Sequence, residues 1–288
     1  VALFHPTAEV IYTGGKDTEV RAWDVSQGST VLTLKGHTAA VSALAAGAQG
    51  KILYSGDKQG KVLIWDVEQE TRLATLDAHR GPVSAILVHP DGKHLITGGQ
   101  DRVIKVWNLE TNKEVNVLSG HLGSINVLAV GADPDLLASA SSDGTIKYWR
   151  WQEKKDANTA TLVGHTRGVT GLAFHSNEQW LISASLDETI KIWDAASQKV
   201  LQELTLVDGP VQGMALTNNG LRLVAAYARD KARTWKLDKS TFLASLEGHG
   251  QALASLNFSA DGGFLISAAQ DKSLKIWNLR TRTAVKTY

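Results

Sequence analysis

Residue types that together can make a nucleophile, a base and an orienting carboxylate recur along this chain at fixed spacings. Ser183, His165 and Asp187 form one such set. A hydroxyl beside an imidazole that a carboxylate orients is the arrangement of acyl-transfer chemistry. The repetition argues for another use. With Trp193 the set has four members, and they return as His79, Thr97, Asp101 and Trp107, as His121, Ser139, Asp143 and Trp149, and as His249, Ser267, Asp271 and Trp277. A reaction needs one site, and active sites seldom come in four copies. A buried bond contributes only about 1 kcal/mol net, but an orphaned carboxylate or imidazole costs more, so each set is expected to act as a unit.

The elements that position these residues follow from the repeat. Tryptophan recurs at 23, 65, 107, 149, 193, 235 and 277, in steps of 42 except for one of 44. Leu34, Leu76, Leu118, Leu204 and Leu246 keep the same phase, eleven residues after their tryptophans. Two independent columns in one phase define seven units. The fifth unit shows four runs of strand composition, 169–175, 180–185, 189–195 and 200–206, separated by turn-forming residues. Four antiparallel strands repeated seven times predict an all-β chain, a seven-bladed β-propeller.

Gly-His pairs at 36/37, 120/121, 164/165 and 248/249, the variant Ala78-His79, and Trp-Asp pairs at 23/24, 65/66 and 193/194 accompany the period, softened to Trp-Asn at 107/108 and 277/278. With these features the chain resembles the WD-repeat (WD-40) β-propeller family over its whole length. The resemblance implies a structural tetrad in which an Asp in the turn between the second and third strands accepts from the His before the first strand. Ser or Thr then bridges that His to the indole N–H. It also implies one propeller over 1–288, with blades near 1–35, 36–77, 78–119, 120–163, 164–205, 206–247 and 248–288. Seven full periods would need eight more residues than the chain has, which is read as a segment excised from a larger protein at the junction of the first and last blades.

Two units depart from the pattern. The second has Gln59 at the Asp position and Asp57 where others are small; Gln still accepts a hydrogen bond, so an intact blade is expected. The sixth has Val207 for His, Ala225 for Ser or Thr and Arg229 for Asp, keeping Trp235. Losing the whole set leaves no orphan, and Val211, Met214, Leu216, Leu223 and Val224 retain the apolar framework. Tyr227 stands where small residues are usual, and replacing Tyr227 and Arg229 by Ser and Asp is expected to leave folding intact.

A propeller of this family is expected to be a protein–protein interaction scaffold or a regulatory sensor domain rather than an enzyme, with function in the positions that break the repeat. The candidate partner-binding rim comprises Lys16, Lys58, Gln100, Leu186, Arg229 and Gln270 beside the turns, Arg80, Leu122 and Arg167 in the loops after the His, and Tyr227. Arginine and apolar anchors are what interfaces favour. The alternative is a small ligand or carbohydrate at the central channel mouth, where Tyr227 and Arg229 would meet an anion. An enzyme would have only Arg229, Asp230, Lys231 and Asp57 there, with no nucleophile beside a base. The segment around Trp151 reads as solvated surface.

Thirty basic and 29 acidic residues leave no global field for nucleic acid or an anionic membrane. No apolar run approaches the length that spans a bilayer. Cysteine is absent, which removes disulfides and thiolate chemistry. His5, His89 and His175 read as turn residues without metal-ligand spacing. No cofactor or metal is expected; a protein or peptide partner, a monomeric ring and a cytoplasmic setting are.

Overall fold

The computed structural model describes residues 1–131, 133–154, 157–176, 179–205, 209–217, 219–228, 231–237, 241–259 and 261–288, with backbone alone at 241–244. Seven four-stranded antiparallel sheets follow one another along the chain, the blades of a β-propeller, each built from four consecutive strands in sequential order. The fifth sheet comprises Val169–Phe174, Trp180–Ser185, Thr189–Asp194 and Val200–Thr205, and the sixth Val211–Leu216, Arg222–Tyr227, Lys231–Lys236 and Thr241–Glu247. Residues 3–161 and 162–288 each form a compact unit.

Apolar residues make the core because the second strands of the second to sixth sheets are buried along almost their whole length, as in Trp180–Ser185 and Arg222–Tyr227. Fourth strands expose most of their residues and take the edge. The small column after the Ser or Thr has a packing cause. At Gly56 and Gly98 a Cβ would lie 2.7 and 2.5 Å from Val83 Cγ1 and Ile125 Cγ2, on the first strand of the following sheet. Hydroxyls tie neighbouring first strands as well: Ser42 donates to Val83 O at 2.6 Å and Thr170 to Val211 O at 2.7 Å.

The Trp column sits at a bulge. The ladder between third and fourth strands shifts register immediately before Trp23, Trp65, Trp107, Trp193, Trp235 and Trp277. A bulge re-aims the side chain and turns the strand. Each indole then lies diagonally opposite the hydroxyl residue: Trp193 pairs with Leu181, and Ser183 is two residues further along the same face.

Candidate functional site

The turn between the second and third strands is where the polar sets assemble. In the fifth sheet Trp193 Nε1–H donates to Ser183 Oγ at 2.8 Å, Ser183 Oγ lies 2.7 Å from His165 Nε2, and His165 Nδ1 lies 2.8 Å from Asp187 Oδ2. Donor chemistry fixes every direction. The carboxylate only accepts, so His165 carries its proton on Nδ1; the neutral ring's Nε2 must accept, so Ser183 O–H donates to it. The third, fourth and seventh sheets repeat the chain through Trp107–Thr97–His79–Asp101, Trp149–Ser139–His121–Asp143 and Trp277–Ser267–His249–Asp271, with links of 2.7 to 3.1 Å.

The Asp187 carboxylate is saturated. Asp187 Oδ2 also accepts the Thr166 N–H at 2.9 Å, while Oδ1 accepts the Thr189 N–H at 3.0 Å and its hydroxyl at 2.7 Å. Burial alone would raise the Asp187 carboxyl, but these donors outweigh it and hold the pKa at about 2. Asp143 and Asp271 are depressed in the same way, through Thr145 and Ser273. Burial pushes His37, His79, His121, His165 and His249 below the ordinary imidazole value of 6.5, against the pull of their carboxylates, so the rings are neutral near pH 7. Thr145, Thr189, Ser273 and the N–H after the His were absent from the sequence reading, although the recurring Asp-x-Thr or Asp-x-Ser spells out the first three.

The second sheet completes its network with a different carboxylate from the one the repeat predicts. His37 Nδ1–H donates to Asp57 Oδ2 at 2.8 Å, and Ser55 links the ring to Trp65. Asp57 Oδ1 accepts the N–H groups of Gln59 and Lys61. Gln59, at the Asp position of the repeat, instead accepts from the Thr38 hydroxyl at 2.8 Å. Asp57 is fully buried. In the first sheet Trp23 bonds to Thr13 at 2.7 Å and Asp17 pairs with Arg21.

Burial decides between catalysis and scaffolding for these sets. Ser55, Thr97, Ser139, Ser183 and Ser267 are at 0% exposure and each accepts an indole N–H. No substrate carbonyl can reach such a hydroxyl. The networks instead clamp the loop after each His onto the second turn, which sets the accessible residues on a rigid frame. Among the described residues no group of three or more His, Asp or Glu is placed to hold a metal. His5 Nδ1 accepts the Thr7 and Ala8 N–H groups, and His89 spans Asp91 N–H and Pro134 O, as turn residues do.

The rim candidates separate into three groups. In residues 3–161, Lys16, Lys58, Arg80, Gln100 and Leu122 are exposed; in 162–288, Arg167 and Gln270 are exposed, and Arg167 donates to the carbonyl of half-buried Leu186 at 3.1 Å. Tyr227 does not belong to a contact surface. It is at 0% exposure, packed with Ile182, Ile190, Val211 and Trp235, and the Arg233 guanidinium lies 6.0 Å from its ring centroid. That burial sets a packing cost against the expectation that replacing Tyr227 and Arg229 together by Ser and Asp leaves folding intact. Arg229, Asp230 and Val207 lie outside the described residues. Trp151 is also buried rather than solvated: its ring packs 4.8 and 4.9 Å from His89 and His94, and its N–H donates to Pro134 O.

Seven four-stranded sheets, with a Trp–Ser/Thr–His–Asp clamp in five of them, define a WD-repeat propeller. The family description "WD domain, G-beta repeat" matches residues 28–66, 70–108, 112–150, 157–194 and 240–278, more than half of the sequence, and the chain belongs to that family. Among curated proteins it is similar to Transducin beta-like protein 3 of Bos taurus, 40% identical over 67 residues, 23% of this chain and 8% of that protein. It is 30% identical over 70 residues to Protein ROOT INITIATION DEFECTIVE 3 of Arabidopsis thaliana, 24% of this chain and 16% of that one. Protein Notchless of Drosophila melanogaster is 45% identical over 40 residues, 14% of this chain and 8% of the relative. The chain thus spans a small part of each relative's length.

Proposed function

We propose that this chain is a non-enzymatic protein-interaction scaffold, and that its contact face within residues 3–161 is the turn end carrying Lys58, Arg80, Gln100 and Leu122. The observation that carries the reading is Leu122. Its backbone N–H is fixed on Asp143 at 2.8 Å while its side chain is 83% exposed. An apolar side chain presented on a fixed backbone spares the loop ordering cost of docking, which is the property of an interface anchor. Arg80 occupies the equivalent position one sheet earlier, its N–H on Asp101 at 3.0 Å and its side chain exposed. Family membership supports the reading at the level of class, since WD-repeat domains are typical interaction platforms. A small ligand at the Tyr227 end of the sixth sheet has no comparable support, because the aromatic that would receive it is buried.

The test is affinity purification from the source cells with the native chain and with Leu122→Asp/Arg80→Asp. Both side chains are exposed, so the variant is expected to melt within about 0.5 kcal/mol of the native stability. A partner recovered with the native chain and lost with the variant supports the proposal; recovery unchanged by the variant refutes this face.

A further inference from the structure

A second departure of the sixth blade lies at the opposite end of its strands. Between the sixth and seventh sheets is a cavity of about 270 Å³, edged by Arg222, Lys236, Arg280 and Arg282 over a floor that includes buried Leu246 and Leu279. The described residues that line it include no carboxylate. Arg222 Nη1–H donates to Leu279 O at 3.1 Å, which pins one guanidinium at the cavity and leaves its remaining donors for another acceptor. Arg280 and Arg282 stand on the turn between the third and fourth strands of the seventh sheet, and both are exposed.

The repeat shows that this charge is local to one corner. Lys236 follows Trp235 where five of the seven units place Asp or Asn: Asp24, Asp66, Asn108, Asp194 and Asn278. Those side chains cap the next turn; Asp66, for example, accepts the Gln69 N–H at 2.8 Å. Arg222 begins its strand where the other units have Val10, Ile52, His94, Leu136, Trp180 and Phe264. Arg280 and Arg282 correspond to Glu68 and Glu70 of the second unit. The positions equivalent to Lys236, Arg280 and Arg282 at the first and second units are Asp24, Glu68 and Glu70, so the two corners carry charges of opposite sign. A chain with 30 basic and 29 acidic residues has no general excess that would place four cations together.

We propose that this corner is a binding site for a phosphate monoester. Three guanidinium forks match a tetrahedral dianion better than a single carboxylate, because arginine donates in bidentate pairs to phosphate oxygens. The cavity holds the volume of about nine waters, enough for a phosphoryl group and a short carbon stem against the leucine floor. The site lies away from the clamp networks, at the other end of the strands, and does not depend on the contact face around Leu122.

Isothermal titration of the intact chain with O-phosphoserine, inorganic phosphate and glutamate at one ionic strength tests the site, and comparing the first two separates an ester from the free ion. Saturable binding of O-phosphoserine is expected, tighter than that of inorganic phosphate and of glutamate. Arg280→Gln/Arg282→Gln alters two exposed side chains and is expected to weaken it about tenfold or more. Lys35→Gln/Lys61→Gln, on exposed lysines of the first two sheets, is the electrostatic control and is expected to leave it unchanged. The proposal is overturned by absence of saturable binding, by glutamate or inorganic phosphate binding as tightly as the ester, or by an affinity that survives the arginine variant or falls equally in the lysine control.

Discussion

The fifth and sixth sheets share a strand plan, a bulge before the Trp and a buried second strand, yet their turn ends are held by different chemistry. The fifth uses a four-membered polar chain from Trp193 to Asp187, every member hydrogen-bonded and the carboxylate accepting four donors. The sixth has Ala225 in the hydroxyl position and fills the adjoining space with the Tyr227 ring, beneath the Arg233 guanidinium. The column that Tyr227 occupies explains why these changes belong together. At Gly99, its counterpart in the third sheet, a Cβ would lie 2.5 Å from the His79 ring. A large side chain there is therefore incompatible with a His clamped as in the third sheet, and becomes favourable once that His is given up. The second sheet uses the same column for Asp57, which reaches His37 from two residues earlier than the other carboxylates. One position thus switches a blade between clamp, shifted clamp and aromatic fill.

The largest effect should come from emptying the aromatic fill. Tyr227→Ser removes a fully buried ring from the cluster with Ile182, Ile190 and Val211, and a loss of about 3 kcal/mol or more is expected in denaturant unfolding. A loss below about 1 kcal/mol would mean that the sixth blade does not depend on the ring.

A smaller but sharper contrast lies in the second blade. Asp57→Ala strands the His37 Nδ1–H and two backbone N–H groups and should cost about 3 kcal/mol. Gln59→Ala, which loses one exposed bond to Thr38, should cost less than about 0.5 kcal/mol. Equal effects in the same unfolding experiment would show that position in the repeat, and not the observed bonding, decides the role.

Much of this was legible in the residues because the period is carried by several columns at once. Seven tryptophans and the recurrent Gly-His pairs placed the sheets, and the residues of four of the five clamps recur at fixed spacings, their bonding being what the resemblance to the WD-repeat family implies. The strand limits read for the fifth unit agree with Val169–Phe174 and its three successors to within one residue. The sequence pattern misled where one residue could serve a column by another route. Asp57 is two positions early, and only the path of the turn shows that its carboxylate arrives at the same ring. Tyr227 read as accessible because its neighbours in that column are small and close to the turn; packing against the fifth sheet, which spacing does not report, buries it. The basic corner was hidden for a further reason. Its four cations come from two units and three turns or strand ends, and no single window of sequence contains them.

Amide hydrogen exchange, read as opening free energies at pH 7.5 and again at pH 5.5, tests the division between polar clamp and aromatic fill most directly. The clamp histidines titrate below the ordinary value of 6.5 in the folded chain. Their contribution is complete above about pH 6.5 and is lost as the pH falls, when the unfolded segment takes up protons that the folded one refuses, at up to about 1.4 kcal/mol per pH unit for each ring. Asp187, held at about 2, stays charged over this range. The opening free energy of Thr189–Asp194 in the fifth sheet is therefore predicted to fall by up to about 1.4 kcal/mol, while that of Lys231–Lys236 in the sixth stays constant. A parallel fall in both strands, or none in either, would contradict the account.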